Sequence, residues 1–400
     1  MASLTELEIG PTPATFPEVS FPVEITRLPA SELSYGEFFS RFMQTNTAVI
    51  IGSVADRWKC FRRWVHRDRD DDAVDKVDVT YLKARIGNVT VPVADCGRQY
   101  YNAHEKRDMQ FHEFLDYWAD RKEKHSKMYL KDWHLREIMP QYRFYETPMF
   151  FGSDWLNEYL IDRKLDDYMF VYIGPKGTWT SFHADVFASY SWSTNIYGVK
   201  RWLLLPPGEE IKLKDKLGNF PFEISEELLK EKQVRYYDIR QTAGEAIFVP
   251  SGWYHQVQNL EDAISVNHNW FNGCNIANIW ASLWASYEQV VKEIDDCRDM
   301  DNFDEHCQLM LKASYGMNLE AFLVILEHVA NKRIGAILGG VDVVHFDIYK
   351  LGKCHIQFDL MKIQDVLSSM YEQKLLLETL RLLTKVEENM DKIKSALRQF

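Results

Sequence analysis

Short β-rich runs follow one another between residues 168 and 270, and turn residues separate them. The runs are rich in the β-branched, aromatic and aliphatic residues that favour strands. The predicted strands cover 169–173, 179–185, 187–192, 200–205, 234–239, 246–249, 253–258 and 263–269. A series of short strands of this kind predicts a barrel or a sandwich. The charged stretch 209–232 interrupts the series and is predicted to be a helical insertion.

The flanks of this series have different patterns. Residues 1–22 carry several prolines and little periodicity, so we expect a loose leader. Residues 23–274 are predicted to form one domain around a barrel core at 168–273, and residues 275–400 a helical region. The predicted fold class is therefore a mainly β core with helical flanks.

Apolar side chains recur at helical spacing near the C-terminus. They lie at positions 376, 380, 383, 386, 390, 393 and 397. This periodicity predicts one long amphipathic helix. We expect its apolar face to pack on the parent domain. A homodimer through the C-terminal helices is the alternative, because the spacing is close to a heptad repeat.

Charge and composition limit the partners of the chain. The formal net charge is −12, and phosphate contacts need clustered Lys and Arg, so we expect no direct nucleic-acid partner. A Lys-rich protein segment is easier to accommodate. The six cysteines form no Cys-x-x-Cys pair, which argues against a structural zinc site. Because neither a signal-peptide pattern nor an apolar run of membrane-spanning length occurs, we expect no membrane partner and a location in the cytoplasm, or in both the cytoplasm and the nucleus.

The motif His-x-Asp can place two metal ligands on one face of a strand, because side chains alternate along it. Three copies occur, beginning at His66, His183 and His345. His66 lies in a charged stretch that predicts a solvated surface, and His345 lies late in the helical tail. His183, followed by Asp185, stands in the β-rich series. Two imidazoles and one carboxylate on one face of an octahedral ion leave positions open, which suits Fe(II).

Two further polar residues stand in the same series. Lys200 begins an apolar strand, and a lysine that points into a barrel needs an anionic partner because an unpaired buried charge is costly. His255 follows a Pro-Ser-Gly turn on a separate strand, from which a third metal ligand has to come. Taken alone, His255 is more readily explained as a hydrogen-bonded core histidine.

Three ordered motifs occur in this region, namely TWTSFHAD, GVKRWLLLPP and GEAIFVPSGWYHQVQNL. Their order and spacing resemble those of the jumonji C (JmjC) 2-oxoglutarate oxygenases over about residues 168–273. The resemblance implies a double-stranded β-helix, a barrel of the jelly-roll or cupin-like type, followed here by the C-terminal helical region. It also implies Fe(II), 2-oxoglutarate and O2 as cofactors, with ascorbate as a supporting reductant.

The family pattern carries over to individual residues of this chain. The residues that match the iron ligands are His183, Asp185 and His255. The residues that match or lie near co-substrate contacts are Lys200, Thr180, Ser193, Asn267 and Asn269. Lys200 matches the lysine that pairs with the distal carboxylate of 2-oxoglutarate, and Thr180 matches a hydroxyl donor to the same group. Strict alternation would put Ser181 on the ligand face instead, so Thr180 requires a local bend in the strand.

The resemblance also implies a substrate and a reaction. It is strongest to the small hydroxylase-like group without reader domains, and it implies a 2-oxoglutarate-dependent dioxygenase that hydroxylates a protein side chain. The implied reaction is lysyl C4 hydroxylation of a Lys-bearing segment of the eukaryotic peptide-chain release factor, which would affect translation termination. The alternatives are an N-methyl-lysine demethylase of the same family and a non-catalytic JmjC binding module.

Overall fold

The structure is a computed structural model that describes residues 4–11, 21–67, 75–101, 103–120, 127–339 and 345–400. Its strands are β1 (Thr5–Leu7), β2 (Thr26–Pro29), β3 (Val49–Gly52), β4 (Val65–His66), β5 (Lys76–Val77), β6 (Thr90–Tyr100), β7 (Ala103–Gln110), β8 (Met128–Trp133), β9 (Met169–Gly174), β10 (Trp179–His183), β11 (Tyr190–Tyr197), β12 (Lys200–Leu205), β13 (Tyr237–Gln241), β14 (Ala246–Val249), β15 (Tyr254–Asn259), β16 (Ala263–Trp270), β17 (His345–Phe346) and β18 (Tyr349–Leu351). Its α-helices are α1 (Tyr35–Phe38), α2 (Lys59–Arg63), α3 (Val79–Ile86), α4 (Phe111–Ala119), α5 (Leu135–Ile138), α6 (Trp155–Asp162), α7 (Glu226–Glu231), α8 (Ile276–Glu293), α9 (Phe303–Tyr315), α10 (Leu319–Ile337), α11 (Lys353–Tyr371), α12 (Lys374–Thr379) and α13 (Leu383–Leu397).

The central strands form a barrel from two sheets. Strands β14, β11, β16 and β9 lie side by side within a nine-stranded sheet, and β10, β15, β12 and β13 make up a four-stranded sheet. The chain therefore passes repeatedly from one sheet to the other, and neighbouring strands of the series pair antiparallel. This topology is a double-stranded β-helix. The predicted mainly β core with helical flanks is confirmed.

Apolar side chains from both sheets share one core cluster. Trp202 and Val257 of the four-stranded sheet are buried together with Ile50, Ile247 and Val249 of the nine-stranded sheet. Alternation along each strand sends every second side chain into such a cluster, while the residues between them face the other way. This burial fixes the register of the strands and therefore the positions of their polar side chains.

Two local predictions in the core differ from the structure. The strand predicted at 187–192 begins later, at Tyr190, because the preceding residues form a 3-10 turn in which Phe187 has a φ of 60°. A left-handed residue of this kind cannot continue a strand. The insertion at 209–232 is α-helical only over Glu226–Glu231; Glu210–Leu213 forms a 3-10 helix, and turns and irregular backbone make up the remainder.

The loose leader predicted for residues 1–22 needs a correction. Part of it lies outside the described residues. Within the described part, Thr5–Leu7 forms a strand that pairs in parallel with Tyr349–Leu351. Leu7 is fully buried and Ile9 nearly so, and burial of these two side chains ties the segment to the C-terminal region. The predicted boundaries between the three regions of the chain stay predictions.

The single long helix predicted at the C-terminus is also wrong. The chain forms α12 and α13 instead, and Arg381, with a φ of 57°, lies in the break between them. Val386 and Ile393, on the predicted apolar face, are buried where α13 packs against α10 and α11. Because this face is covered within the chain, it offers no support for the homodimer, which stays a prediction.

No single helix in the described part of the chain has the length and apolar composition needed to cross a membrane. One bent pair, Phe303–Tyr315 with Leu319–Ile337, reaches that length and composition only jointly, across a bend of 73°.

Candidate metal centre

Two histidines and an aspartate meet inside the barrel. His183 at the end of β10 pairs directly with His255 on β15, and their ring centroids are 4.4 Å apart. Asp185 follows two residues after His183. One ligand atom from each of the three side chains lies within 4.8 Å of the other two. This set could hold a divalent cation, and its two nitrogens and one carboxylate oxygen are donors that iron accepts.

Backbone carbonyl groups orient both imidazoles. The Nδ1 atom of His183 lies 2.7 Å from the carbonyl oxygen of Ser181, and Nδ1 of His255 lies 3.1 Å from that of Trp253. A carbonyl oxygen can only accept, so each Nδ1 carries the proton and each Nε2 presents a lone pair. Burial, with a contribution from His255, lowers the pKa of His183 to about 4, so the ring stays neutral. His183 is therefore in the protonation state that a metal requires.

The carboxylate of Asp185 is held by two hydrogen bonds from neighbouring strands. Ser191 donates from Oγ to Oδ2 at 2.7 Å, and Asn269 donates from Nδ2 to Oδ1 at 2.9 Å. Asn269 also lies 3.2 Å from the hydroxyl of Ser189. Such outer partners fix the orientation of a metal ligand. The structure thus places Asn269 next to the carboxylate, on the wall of the same cavity.

Lys200 lies in this cavity with its charge uncompensated. The residue is 2 % exposed, and its Nζ donates to the hydroxyl of Tyr129 at 3.1 Å and to Oδ1 of Asn259 at 2.9 Å. No carboxylate pairs with it among the residues that the structure describes. Burial, together with the charge of Lys131, lowers the pKa of Lys200 to about 7. A buried ammonium with two neutral acceptors suits an anion, and a carboxylate of 2-oxoglutarate fits it.

The other predicted co-substrate residues also line the cavity, which encloses about 50 Å³. Thr180 faces it because the β10–β15 register shifts between Thr180 and His183, and this shift is the local bend that alternation alone does not provide. Ser193 donates to Oδ1 of Asn267 at 3.2 Å, and Ser265 donates to the same oxygen at 3.0 Å. Ser193 and Asn267 are therefore already hydrogen-bonded to each other, and their contacts with a co-substrate stay predictions.

Several cavity residues were not predicted from the sequence. They are Tyr129, Tyr172, Ser191, Trp202 and Val257, to which Asn259, a hydrogen-bond partner of Lys200, can be added. Alternation along β12 and β15 could have indicated Trp202, Val257 and Asn259, which lie two or four positions from Lys200 or His255. Tyr129 lies on β8, outside the strand series, and Tyr172 has the pattern of a core aromatic residue. Their positions depend on how the nine-stranded sheet is ordered, which the local pattern does not specify.

The other two His-x-Asp copies lie partly outside the described residues. His66 has a side chain that is 74 % exposed and lies 2.8 Å from Asp78, while Asp68 is outside the described residues. The side chain of His345 is outside them as well. A second group of potential ligands, His134, Asp166 and Asp167, comes together near the start of β9. Its contacts, at 2.9–3.0 Å from the histidine Nδ1 atom, are those of an ion pair.

Known proteins resemble this chain both in the barrel region and over most of its length. Residues 170–270 match the family model described as JmjC domain, hydroxylase. A Drosophila melanogaster protein named 2-oxoglutarate and iron-dependent oxygenase JMJD4 homolog is 46% identical over 381 residues, which are 88% of this chain and 89% of the relative. The Homo sapiens protein named 2-oxoglutarate and iron-dependent oxygenase JMJD4 is 38% identical over 352 residues, or 84% and 82% of the two chains. An Arabidopsis thaliana protein named Arginine-specific demethylase JMJ20 is 38% identical over 326 residues, or 76% and 69%.

Proposed function

Because this chain belongs to the JMJD4 branch of the JmjC family of 2-oxoglutarate and iron-dependent oxygenases, we propose that it hydroxylates a lysyl side chain of a protein. The proposed position is C4 of a lysine in the eukaryotic peptide-chain release factor. One observation carries the catalytic part of this proposal. His183, Asp185 and His255 converge in the same cavity as Lys200, whose buried charge lacks a carboxylate partner among the described residues.

Each of these residues has a defined role in the proposal. His183, Asp185 and His255 hold the iron, and Lys200 binds the distal carboxylate of 2-oxoglutarate together with Thr180. Iron and 2-oxoglutarate, when bound, supply the oxidising chemistry: one oxygen atom of O2 enters succinate, formed with CO2, and the other enters the substrate C–H bond. The protein orients both imidazoles through backbone carbonyl groups, keeps that of His183 neutral and fixes the Asp185 carboxylate.

The substrate assignment has two supports of different kinds. The resemblance to the hydroxylase-like group of the family points to a lysyl side chain of the release factor. The net charge of −12 favours a basic segment as partner, although the contribution of overall charge is mainly to association rate.

Demethylation is the second candidate, because the Arabidopsis thaliana relative is named as an arginine-specific demethylase. In that reaction the same chemistry hydroxylates an N-methyl group, and the product releases formaldehyde. The two candidates differ in the mass of the peptide product. A gain of one oxygen atom indicates hydroxylation, and a loss of one CH₂ unit indicates demethylation.

Mass spectrometry of release-factor peptides tests the proposed function directly. The purified protein with Fe(II), 2-oxoglutarate and ascorbate is expected to add one oxygen atom to a lysine-containing peptide, with fragment ions that place it on the lysine. The same peptide with arginine at that position is the control and should stay unmodified. Methylated peptides that lose CH₂ while the unmethylated peptide gains no oxygen would favour the demethylase instead.

The charge of Lys200 makes 2-oxoglutarate binding depend on pH. In the empty cavity the pKa of Lys200 is about 7, and a bound carboxylate raises it, so binding above pH 7 requires proton uptake. Affinity should be full below pH 7 and should fall as pH rises above it, by up to about tenfold per pH unit. Calorimetry on metal-loaded protein without O2, from pH 6 to pH 9, measures this slope.

Lys200→Met is the matched variant for this measurement. It removes the ammonium and keeps a side chain of similar length, so affinity should fall about 10- to 100-fold at low pH, as for loss of a hydrogen bond to a charged group. Its remaining affinity should not vary between pH 6 and pH 9. A slope that persists in this variant would assign the pH dependence to another group.

A further inference from the structure

A β-bulge in β8 lies opposite Tyr172, a residue of the cavity wall. β8 has two residues, Lys131 and Asp132, at the point where the paired strand β9 has only Tyr172. Asp132 has a φ of 58°, in the left-handed region that a non-glycine residue occupies only where its surroundings impose it. Bulges beside active sites re-aim side chains in this way. The carboxylate of Asp132 therefore turns to the side of the sheet on which Tyr172 lies.

Asp132 is linked to the metal centre through Tyr172. The hydroxyl of Tyr172 donates to Oδ1 of Asp132 at 2.5 Å, and Tyr172 lines the cavity together with Asp185 and Asn269. The second carboxylate oxygen, Oδ2, accepts from the ammonium of Lys106. The side chain of Asp132 remains 28 % exposed. The hydroxyl of Tyr172 thus contacts a fixed carboxylate, while Tyr172 lines the same cavity as the proposed metal ligands.

Lys106, whose ammonium contacts Asp132, can leave this carboxylate at a low cost in free energy. Lys106 lies on β7, at the edge of the nine-stranded sheet, and its side chain is 49 % exposed. An exposed ion pair of this kind contributes little free energy, because water and salt compensate the loss of the partner. Asp132, in contrast, stays ionised. Burial opposes its charge, but Lys131 and Lys106 hold its pKa at about 2.

We propose that Asp132 binds the ammonium of the substrate lysine, and that Lys106 occupies this position until the substrate arrives. This inference rests on the proposed lysyl hydroxylation. Exchange of one ammonium for another leaves the local charge unchanged, which lets a cationic side chain enter beside Lys131 and Lys200. With its ammonium on Asp132, the aliphatic part of the substrate side chain runs along Tyr172 towards the metal ligands. Asp132 and Tyr172 are then positioning residues that select lysine by its charge.

Peptide binding to the metal-loaded protein tests this exchange, with 2-oxoglutarate present and O2 absent. The probes are a lysine-containing release-factor peptide and the same peptide with norleucine, which lacks the ammonium, at the target position. The unmodified protein should prefer lysine several-fold, because the substrate ammonium has to replace that of Lys106 on the same partly exposed carboxylate. Asp132→Asn should remove this preference. Lys106→Met should tighten binding of the lysine peptide several-fold, because the competing ammonium is gone.

The two variants are expected to change the binding of the lysine peptide in opposite directions, which a merely structural role of these residues would not produce. An Asp132→Asn protein that still prefers lysine, or a Lys106→Met protein that binds the lysine peptide more weakly, would overturn the inference. If thermal unfolding shows that Asp132→Asn is not folded, two other variants test the inference. Lys106→Met should still tighten binding of the lysine peptide, and Tyr172→Phe should reduce the preference for lysine. Failure of the unmodified protein to hydroxylate any lysine would instead refute the proposed function. If the unmodified protein hydroxylates lysine but Asp132→Asn keeps the preference for the lysine peptide, only this inference is refuted.

Discussion

Asp185→Ala is expected to produce a folded protein that no longer binds iron and no longer converts 2-oxoglutarate to succinate. Asp185 is the only carboxylate in the described ligand set, so its loss removes both an oxygen ligand and the negative charge that offsets the dication. Loss of an outer partner of a metal ligand typically costs about 10- to 100-fold in metal affinity, and loss of the ligand itself should cost more. Metal content after dialysis and succinate release measure the two effects.

Ser191→Ala is the graded control for this experiment. It removes one hydrogen bond to the Asp185 carboxylate and leaves the ligand in place, so iron affinity should fall within that 10- to 100-fold range. The order of affinities should therefore be the unmodified protein, then Ser191→Ala, then Asp185→Ala. If Asp185→Ala retained normal iron content and normal succinate release, the assignment of this metal centre would be wrong.

The sequence predicts the metal ligands because their geometry follows from local rules. His183 and Asp185 are two residues apart at the end of a strand, and His255 lies on a strand of the same series. Alternation along β12 likewise places Lys200 inside the barrel. The local pattern does not show which strands lie side by side. The family resemblance implies this arrangement, because it implies the fold. Local pattern and resemblance together predict the convergence of His183, Asp185 and His255 in one cavity with Lys200, while the roles of these residues stay predictions.

Irregular backbone accounts for most of what the sequence does not predict. The bulge that turns Asp132 towards Tyr172 has no glycine or proline to indicate it, because its left-handed residue is held by tertiary contacts. The break at Arg381 is of the same kind: the apolar periodicity continues across it although the helix does not. Periodicity reports which side chains are buried, and it does not report where the backbone departs from regular geometry.

Contacts between distant segments are the other part that local patterns omit. A buried network of charges connects helices α6, α10 and α11. Arg333 on α10 is fully buried; its Nε donates to Oδ2 of Asp359 at 2.9 Å, and its Nη1 donates to Oε1 of Glu158 at 2.6 Å. Nδ1 of His355 lies 3.2 Å from Oδ1 of Asp359, and Trp155 donates to the same carboxylate at 3.2 Å. The helical region is thereby fastened to α6, the helix that precedes the barrel strands.

Arg333→Met is expected to destabilise the protein by about 3–5 kcal/mol, the range for a buried ion pair that loses one partner. Methionine fills a similar space, so the main effect is the buried carboxylate of Asp359 left without its cation. Glu158 keeps a second partner, because Lys332 lies 2.8 Å from it. Urea unfolding followed by circular dichroism gives the free energy of unfolding, and a lower midpoint at unchanged slope would identify a true loss of stability.

Two further variants determine whether the cost arises from an uncompensated charge. The double variant Arg333→Met/Asp359→Leu removes both charges, so it should be more stable than Arg333→Met alone. Lys332→Met removes a cation whose side chain is 28 % exposed, and it should cost less than about 1 kcal/mol. Additive destabilisation in the double variant would instead mean that lost packing, and not the buried charge, accounts for the effect of Arg333→Met.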